Sequence, residues 1–301
     1  MLDGDYAFLD AGDGRRLERF GELLADRPAP AHVEPRRAPE RWSEATVYHP
    51  GSGWWAADGS PAPAADGAPG PDAGRDIRAL SVAGLTLETR LAAGGQVGLF
   101  PEQLTNVPWL RDALRARIGE SPTRSIEVLN LFAHTGLATL VAAGGGARVV
   151  HVDASRPAVA WARRNAELSG LADCPIRWIV DDALTFVRRE ARRGRRYAGL
   201  VLDPPSYGHG GRGGRSAWQF DEQIAELLDA CAPIAEPDAF WLLTAHTMGW
   251  DPERLATTLA AATDVGPGDL EARPLRLEAE SGAVLDLGAT ARVDPLRRDR
   301  R

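Results

Sequence analysis

From residue 125 to residue 247, short apolar runs alternate with amphipathic runs of helical period, and no other feature of this chain narrows its fold so far. "IEVLNLF" (126–132) reads as a buried strand, and "GLATLVAAGGG" as a helix ended by glycines. "ARVVHVD" (147–153) reads as a second strand, and "RPAVAWARRNAELSG" as a helix closed by Gly170. "IRWIVDDA" and "AGLVLDPP" are a third and a fourth strand, and "LTFVRREARR" and "WQFDEQIAELLDACAPI" are the helices that follow them. "AFWLLTAHT" is a fifth strand. Parallel neighbours need a crossover, and a helix of this length supplies one, so the pattern predicts an α/β fold with a parallel, doubly wound sheet. The tail "LRLEAESGAVLDLGATARV" reads instead as a hairpin about Ser281 and Gly282. It brings the strand count to seven, with at least one strand antiparallel.

Sheets of this kind bind ligands beyond the carboxyl ends of their strands, near the point where strand order reverses. Here those ends are Ala133 to Gly136, Asp153, Asp182, Asp203 to Tyr207, and Thr244 to Thr247. Three of the five present a carboxylate. One alone would be read as a helix cap, since aspartate favours that position. Three at neighbouring strand ends argue for a ligand.

Upstream of this region the pattern is less regular. Residues 1–57 carry short apolar segments, turn signals and the aromatics Trp42, Tyr48, Trp54 and Trp55, which read as a small β-rich N-terminal module. The paired tryptophans offer a stacking platform, with the core of a small domain as the plainer alternative. Residues 58–76 consist almost wholly of Ala, Gly, Pro, Ser and Asp, a composition expected of a flexible linker. Residues 77–118 read as a strand pair and a helix leading into a catalytic domain at 119–301.

The first strand-to-helix turn, "NLFAHTG", lacks the G-x-G-x-x-G spacing that cradles a pyrophosphate. Only Gly136 is usefully placed, and Phe132 and His134 stand where glycines would serve. Asp153 can accept from ribose hydroxyls and Asp182 from an adenine amino group. A ligand with ribose and adenine but no pyrophosphate matches this set.

"VLNLFAHTG", "HVDAS", "WARRNAELSGL", "IVDDAL" and "LDPPSYG", in this order, resemble the class I S-adenosylmethionine-dependent methyltransferases. The nearest likeness is to the branch of large-subunit ribosomal RNA methyltransferases with a DPPS(F/Y) strand end. "GLFPEQLTN" (98–106) also resembles that branch's segment before the catalytic domain, and the likeness covers roughly residues 80 to 291. The resemblance implies a Rossmann-like fold and S-adenosyl-L-methionine as cofactor. Its methionine part would lie along Asn130, Phe132, Ala133, His134, Thr135 and Gly136, its ribose at Asp153 with Ala154, and its adenine at Asp182 with Ala183. Asp203 would border the cofactor and, with the carbonyl of Pro204, accept from the methyl acceptor while Tyr207 stacks on a flat substrate. The implied partner is RNA, ribosomal RNA in particular.

The Pro-Pro pair has a physical rationale of its own. Neither proline donates an N–H, so the strand ladder stops and the chain stays extended, projecting Asp203 and Tyr207. Arg212 and Arg215, in the glycine-rich loop that follows, can reach phosphates, and Trp218 reads as packing under the next helix. His246 can contact substrate or serve as a hydrogen-bonded structural histidine. Methylation of a ring carbon such as C5 of cytosine needs a cysteine nucleophile. The related carbon-methylating enzymes place it at the end of strand five, where this chain reads "TAHTMG". Cys231 falls on the core face of a helix and Cys174 in a loop, so a nitrogen or oxygen acceptor is expected.

The net charge of −7 does not advertise a nucleic-acid ligand, although only the field near the site matters. All 35 basic residues are arginines, and the run "RREARRGRR" (188–196) reads by default as a solvated helix end. Two cysteines supply neither a disulfide framework nor a metal cluster, so no metal is expected. With no signal peptide in "MLDGDYAFLD" and no membrane-length apolar run, a cytoplasmic location is expected. Three other readings remain open: a small-molecule or protein methyltransferase, an adenine-nucleotide oxidoreductase, and a cofactor-binding module without turnover.

Overall fold

The computed structural model describes residues 4–62, 78–120, 125–208, 218–263, 265–266 and 269–298. The chain divides into two compact units. The first comprises Met1–Thr105, Arg164–Gly170 and Arg276–Asp286; the second comprises Asn106–Arg163, Leu171–Leu275 and Leu287–Arg301.

The first unit holds a five-stranded sheet of β1 (Tyr6–Gly12), β2 (Arg15–Phe20), β3 (Leu23–Pro28), β4 (Thr46–His49) and β5 (Gly53–Trp55), in that spatial order. Neighbours are antiparallel except β3 and β4, which run parallel across a long connection. A hairpin of β6 (Arg78–Val82) and β7 (Leu85–Thr89) completes its strands. Trp54 is buried and its indole N–H donates to the Ala92 carbonyl at 2.8 Å, so it serves this unit's core rather than a stacking platform. The residues expected to be a flexible linker begin differently. Asp58 to Ala62 fold back, with the Ala62 N–H bonded to the Trp54 carbonyl at 2.9 Å. Asp58 and Gly59 are turn formers, and Asp58 accepts from the Ser60 amide at 2.9 Å. The rest of that segment, 63–76, lies outside the described residues.

The seven-stranded sheet has the order β10-β9-β8-β11-β12-β14-β13. These are β8 (Glu127–Leu131), β9 (Arg148–Asp153), β10 (Ile176–Val180), β11 (Tyr197–Leu202), β12 (Ala235–Ala245), β13 (Glu271–Glu278) and β14 (Val284–Val293). The first five are parallel and β14 is antiparallel to β12, as the alternation and the terminal hairpin predict. Strand five is longer than expected, because it starts at Ala235 and its register on β11 shifts between Tyr197 and Gly199. Gly199 is required there, since a Cβ would collide with the ring of Phe240 on the neighbouring strand.

The helices are α1 (Val107–Glu120), α2 (Leu137–Gly144), α3 (Arg156–Leu168), α4 (Ala183–Arg192), α5 (Phe220–Cys231), α6 (Pro252–Thr263) and the short α7 (Pro295–Arg298). Phe186 and Val187 of α4, Phe220, Ile224, Leu227 and Leu228 of α5, and Leu255 and Leu259 of α6 form one buried cluster with Leu129, Val152, Leu200 and Leu243 of the sheet. Each such side chain contributes about 1.5–3 kcal/mol by leaving water. Cys231 is fully buried in this cluster, as its helical spacing indicates. The arginine run at the end of α4 is extensively paired: Arg189 with Asp181 at 2.7 Å, Arg193 with Glu190 at 2.9 Å and Arg195 with Glu127 at 2.7 Å. That is a solvated, ion-paired surface. Among the described residues no helix is long and apolar enough to cross a membrane, and no cluster of ligating side chains suits a metal.

Candidate active site

Five parallel strands bring their carboxyl ends to one edge of the sheet, and strand order reverses between β8 and β11. The turns after those two strands are the centre of the site. Asn130 near the end of β8 is buried, and its amide donates to Thr139 Oγ1 of α2 at 2.9 Å. Thr139 in turn meets His151 Nδ1 of β9 at 2.9 Å, so a polar chain fixes the root of the first turn. Burial, aided by His134 and Arg163, lowers the His151 pKa to about 3 and holds the ring neutral.

Beyond Asn130 the backbone takes an unusual path. Phe132, His134 and Gly136 have φ of 54°, 46° and 91°. The left-handed region costs an ordinary residue roughly 1 kcal/mol or more. Phe132 and His134 therefore adopt glycine-type conformations while retaining side chains. A pyrophosphate needs bare backbone at these places, so the turn fits the ribose-and-adenine ligand better than a dinucleotide. Gly136 also sits close to α3, where a Cβ would lie 3.1 Å from that of Ala162.

The two carboxylates predicted to hold a nucleoside behave differently. Asp182 is the N-cap of α4, accepting from the Thr185 amide at 2.8 Å. Asp153 does not cap α3. Ser155 does, through the Ala158 amide at 3.3 Å, while Asp153 accepts from the His134 amide at 2.8 Å and from the Ser155 amide at 2.8 Å. Asp153 thus ties strand two to the left-handed turn and remains partly exposed. Ala154 is exposed beside it, and Ala183 is buried at the start of α4. Burial lowers the pKa of His134, and the charges of Asp153 and Asp203 pull it the other way. The same environment brings Thr135 and Ala133 into buried positions behind the turn.

After β11, Asp203 stands partly exposed, Pro204 is buried, and Tyr207 is 71% exposed. The turn is held by side chains from the end of β12. Asp203 Oδ1 accepts from Thr244 Oγ1 and lies 3.0 Å from His246 Nε2, while Ser206 Oγ accepts from Thr247 Oγ1 at 3.0 Å. Trp218 closes it from the far side: its indole N–H donates to the Pro205 carbonyl at 2.7 Å and its ring pairs with Phe132 at 4.9 Å. Reasoning from the sequence assigned no role to Thr244 or Thr247, and only their place at a strand end marked them. Of the two readings open for His246, the contacts with Asp203 and the Leu287 main chain fit the hydrogen-bonded structural histidine. Arg212 and Arg215 lie outside the described residues.

The chemistry of this edge is acidic: the charges of Asp153 and Asp203 act on His134, which burial keeps neutral, and Tyr207 is exposed. It fits a cationic, nucleoside-bearing cofactor without phosphates.

No protein-family model matches the chain. Among curated proteins, the ribosomal RNA large subunit methyltransferase K/L of Methylococcus capsulatus is 32% identical over 182 residues, or 58% of this chain and 24% of that protein. The ribosomal RNA large subunit methyltransferase I of Tolumonas auensis is 27% identical over 213 residues, 70% of this chain and 45% of that protein. The matched stretches thus span less than half of these relatives' own length. Among solved structures, the SAM-dependent methyltransferase from Agrobacterium tumefaciens superposes with a TM-score of 0.82 at 33% identity, over 97% of this chain and 91% of that one. A likeness of that identity over nearly the full length of both chains, joined to this strand order and these strand ends, makes the chain a member of the S-adenosylmethionine-dependent methyltransferases.

Proposed function

We propose that this chain methylates a base in RNA, with ribosomal RNA as the substrate class and a nitrogen or oxygen atom as the acceptor. Asn130 to Gly136 would border the methionine part of S-adenosylmethionine, Asp153 its ribose and Asp182 its adenine. When bound, that cofactor supplies an electrophilic methyl group on a sulfonium. The protein's task is then to bind, orient and exclude water, because displacement at a methyl group needs alignment above all. The carboxylate of Asp153 complements the sulfonium charge, and a neutral His134 does not oppose it.

The observation that carries the RNA reading is the strand end Asp203–Tyr207. A carboxylate fixed by Thr244 and His246 can accept from a base N–H, and an exposed aromatic four residues on can stack on a flat base. The names of the curated relatives support the same substrate class. The choice of acceptor follows from the cysteines. Cys231 is buried in the core with its thiol pKa pushed up by burial, so it is not available as a nucleophile. Catalysis is assigned to the second unit and the working location to the cytoplasm, where such RNA is found.

The test is incubation of the purified chain with methyl-labelled S-adenosylmethionine and RNA from a strain lacking the gene, followed by digestion to nucleosides. An N- or O-methylated nucleoside is the expected product. Labelled 5-methylcytidine would overturn the acceptor argument. Cofactor binding with no label in free RNA or in intact ribosomal subunits would overturn the RNA assignment.

A further inference from the structure

The contacts of His246 determine where its protons are. Its Nδ1 lies 2.8 Å from the main-chain oxygen of Leu287. A carbonyl oxygen can only accept, so Nδ1 carries a hydrogen. In a neutral imidazole the other ring nitrogen is then a bare acceptor. Yet Nε2 lies 3.0 Å from Asp203 Oδ1, and an ionised carboxylate is an acceptor too. Two bare acceptors at that separation repel, and the contact requires a hydrogen between them. Thr244 does not supply it, because its hydroxyl hydrogen stays on its own oxygen while donating to the same Oδ1.

We propose that His246 and Asp203 hold one proton between Nε2 and Oδ1, which makes His246 the positioning residue of the strand-end carboxylate rather than a substrate contact. The three anchors are on different strands. Asp203 follows β11, His246 and Thr244 come from the end of β12, and Leu287 belongs to β14. Neighbouring main chain therefore orients the imidazole, and the imidazole orients the carboxyl plane. A charge-assisted bond is about twice as strong as a neutral one, and so resists the pull of an incoming base better. This assignment also gives a reason for histidine at the end of strand five: glutamine would keep a donor but lose the charge, and alanine would lose both. The functional consequence rests on the reading of Asp203 as the carboxylate facing the methyl acceptor; the shared proton does not.

The deciding measurement is ¹⁵N NMR of the full-length chain labelled at histidine, without cofactor, at neutral pH. His246 is assigned by the signal lost in His246→Gln. Both of its ring nitrogens are expected at protonated positions in the wild type. In Asp203→Asn the new amide can donate to Nε2, so His246 is expected to become neutral with only Nδ1 protonated. A bare Nε2 in the wild type, or an unchanged spectrum in Asp203→Asn, overturns the proposal. Kinetics give a second readout. Turnover is expected to fall about tenfold in His246→Gln and about a hundredfold in His246→Ala, with cofactor Kd and RNA KM within about twofold of wild type. Equal losses in both variants, or a change confined to KM, would make His246 a substrate contact and overturn its positioning role. Should the wild type methylate no RNA at all, the proposed function fails while the NMR result still decides the shared proton.

Discussion

The turn after β8 and the turn after β11 are neighbours at the same sheet edge, yet they are held in opposite ways. The first is shaped by backbone: Phe132, His134 and Gly136 take positive φ, and a single carboxylate, Asp153, clips the His134 amide. The second is shaped by side chains: Asp203, Ser206 and Pro205 are each bonded to Thr244, His246, Thr247 or Trp218. A turn strained in its main chain tolerates little change at its glycine. A turn built from side-chain bonds can lose one and keep its path. On the proposed function, the first arrangement suits an invariant cofactor, and the second leaves room to tune toward a substrate.

The largest effect is expected at Asp203. Asp203→Ala should lower kcat by about a thousandfold, roughly 4 kcal/mol of transition-state energy, with cofactor affinity measured by calorimetry nearly unchanged. A parallel loss of cofactor binding would show that the second turn also serves the first. Next comes Gly136→Ala. A side chain at φ 91°, with its Cβ 3.1 Å from that of Ala162, should cost about 3 kcal/mol in urea unfolding and weaken cofactor binding with it. An unaffected midpoint would mean that the first turn is not limited by its backbone.

Acid separates the two turns by another route. His151 and His134 are both held neutral by burial, so the native state declines protons that the unfolded chain takes up below about pH 6.5. The stability they contribute is complete above that pH and is lost as the pH falls toward the native value of about 3 for His151. By about pH 5, His151 alone should remove about 2 kcal/mol from unfolding, and His151→Gln should flatten that slope. The smallest effect is expected of Thr247→Val. Losing its bond to Ser206 should cost about 1 kcal/mol of stability and leave cofactor affinity untouched, as thermal unfolding and calorimetry would report.

Much of this site was legible along the chain because parallel α/β folds have a strong grammar. Once apolar runs of four to six residues alternate with helical ones, whatever follows each run lies at one edge, which brought Asp153, Asp182 and Asp203 into view together. The grammar could not tell their duties apart. Asp182 caps α4, whereas Ser155 relieves Asp153 of that task, and only the backbone path through Asp153, Ala154 and Ser155 decides it. Thr244 and Thr247 were silent for a related reason: a threonine at a strand end matters only when the neighbouring strand's side chains come within hydrogen-bond reach.

The sequence by itself determined the order of elements, the terminal hairpin, the burial of Cys231 and the set of residues at the strand ends, because each follows from local period, turn chemistry or spacing. The tertiary structure alone decided which of those residues bond to one another. The left-handed conformations of Phe132 and His134, the clip from Asp153 and the proton shared by Asp203 and His246 depend on contacts between strands far apart in the chain. Distances between such residues follow from register and packing, and neither is written in any local stretch.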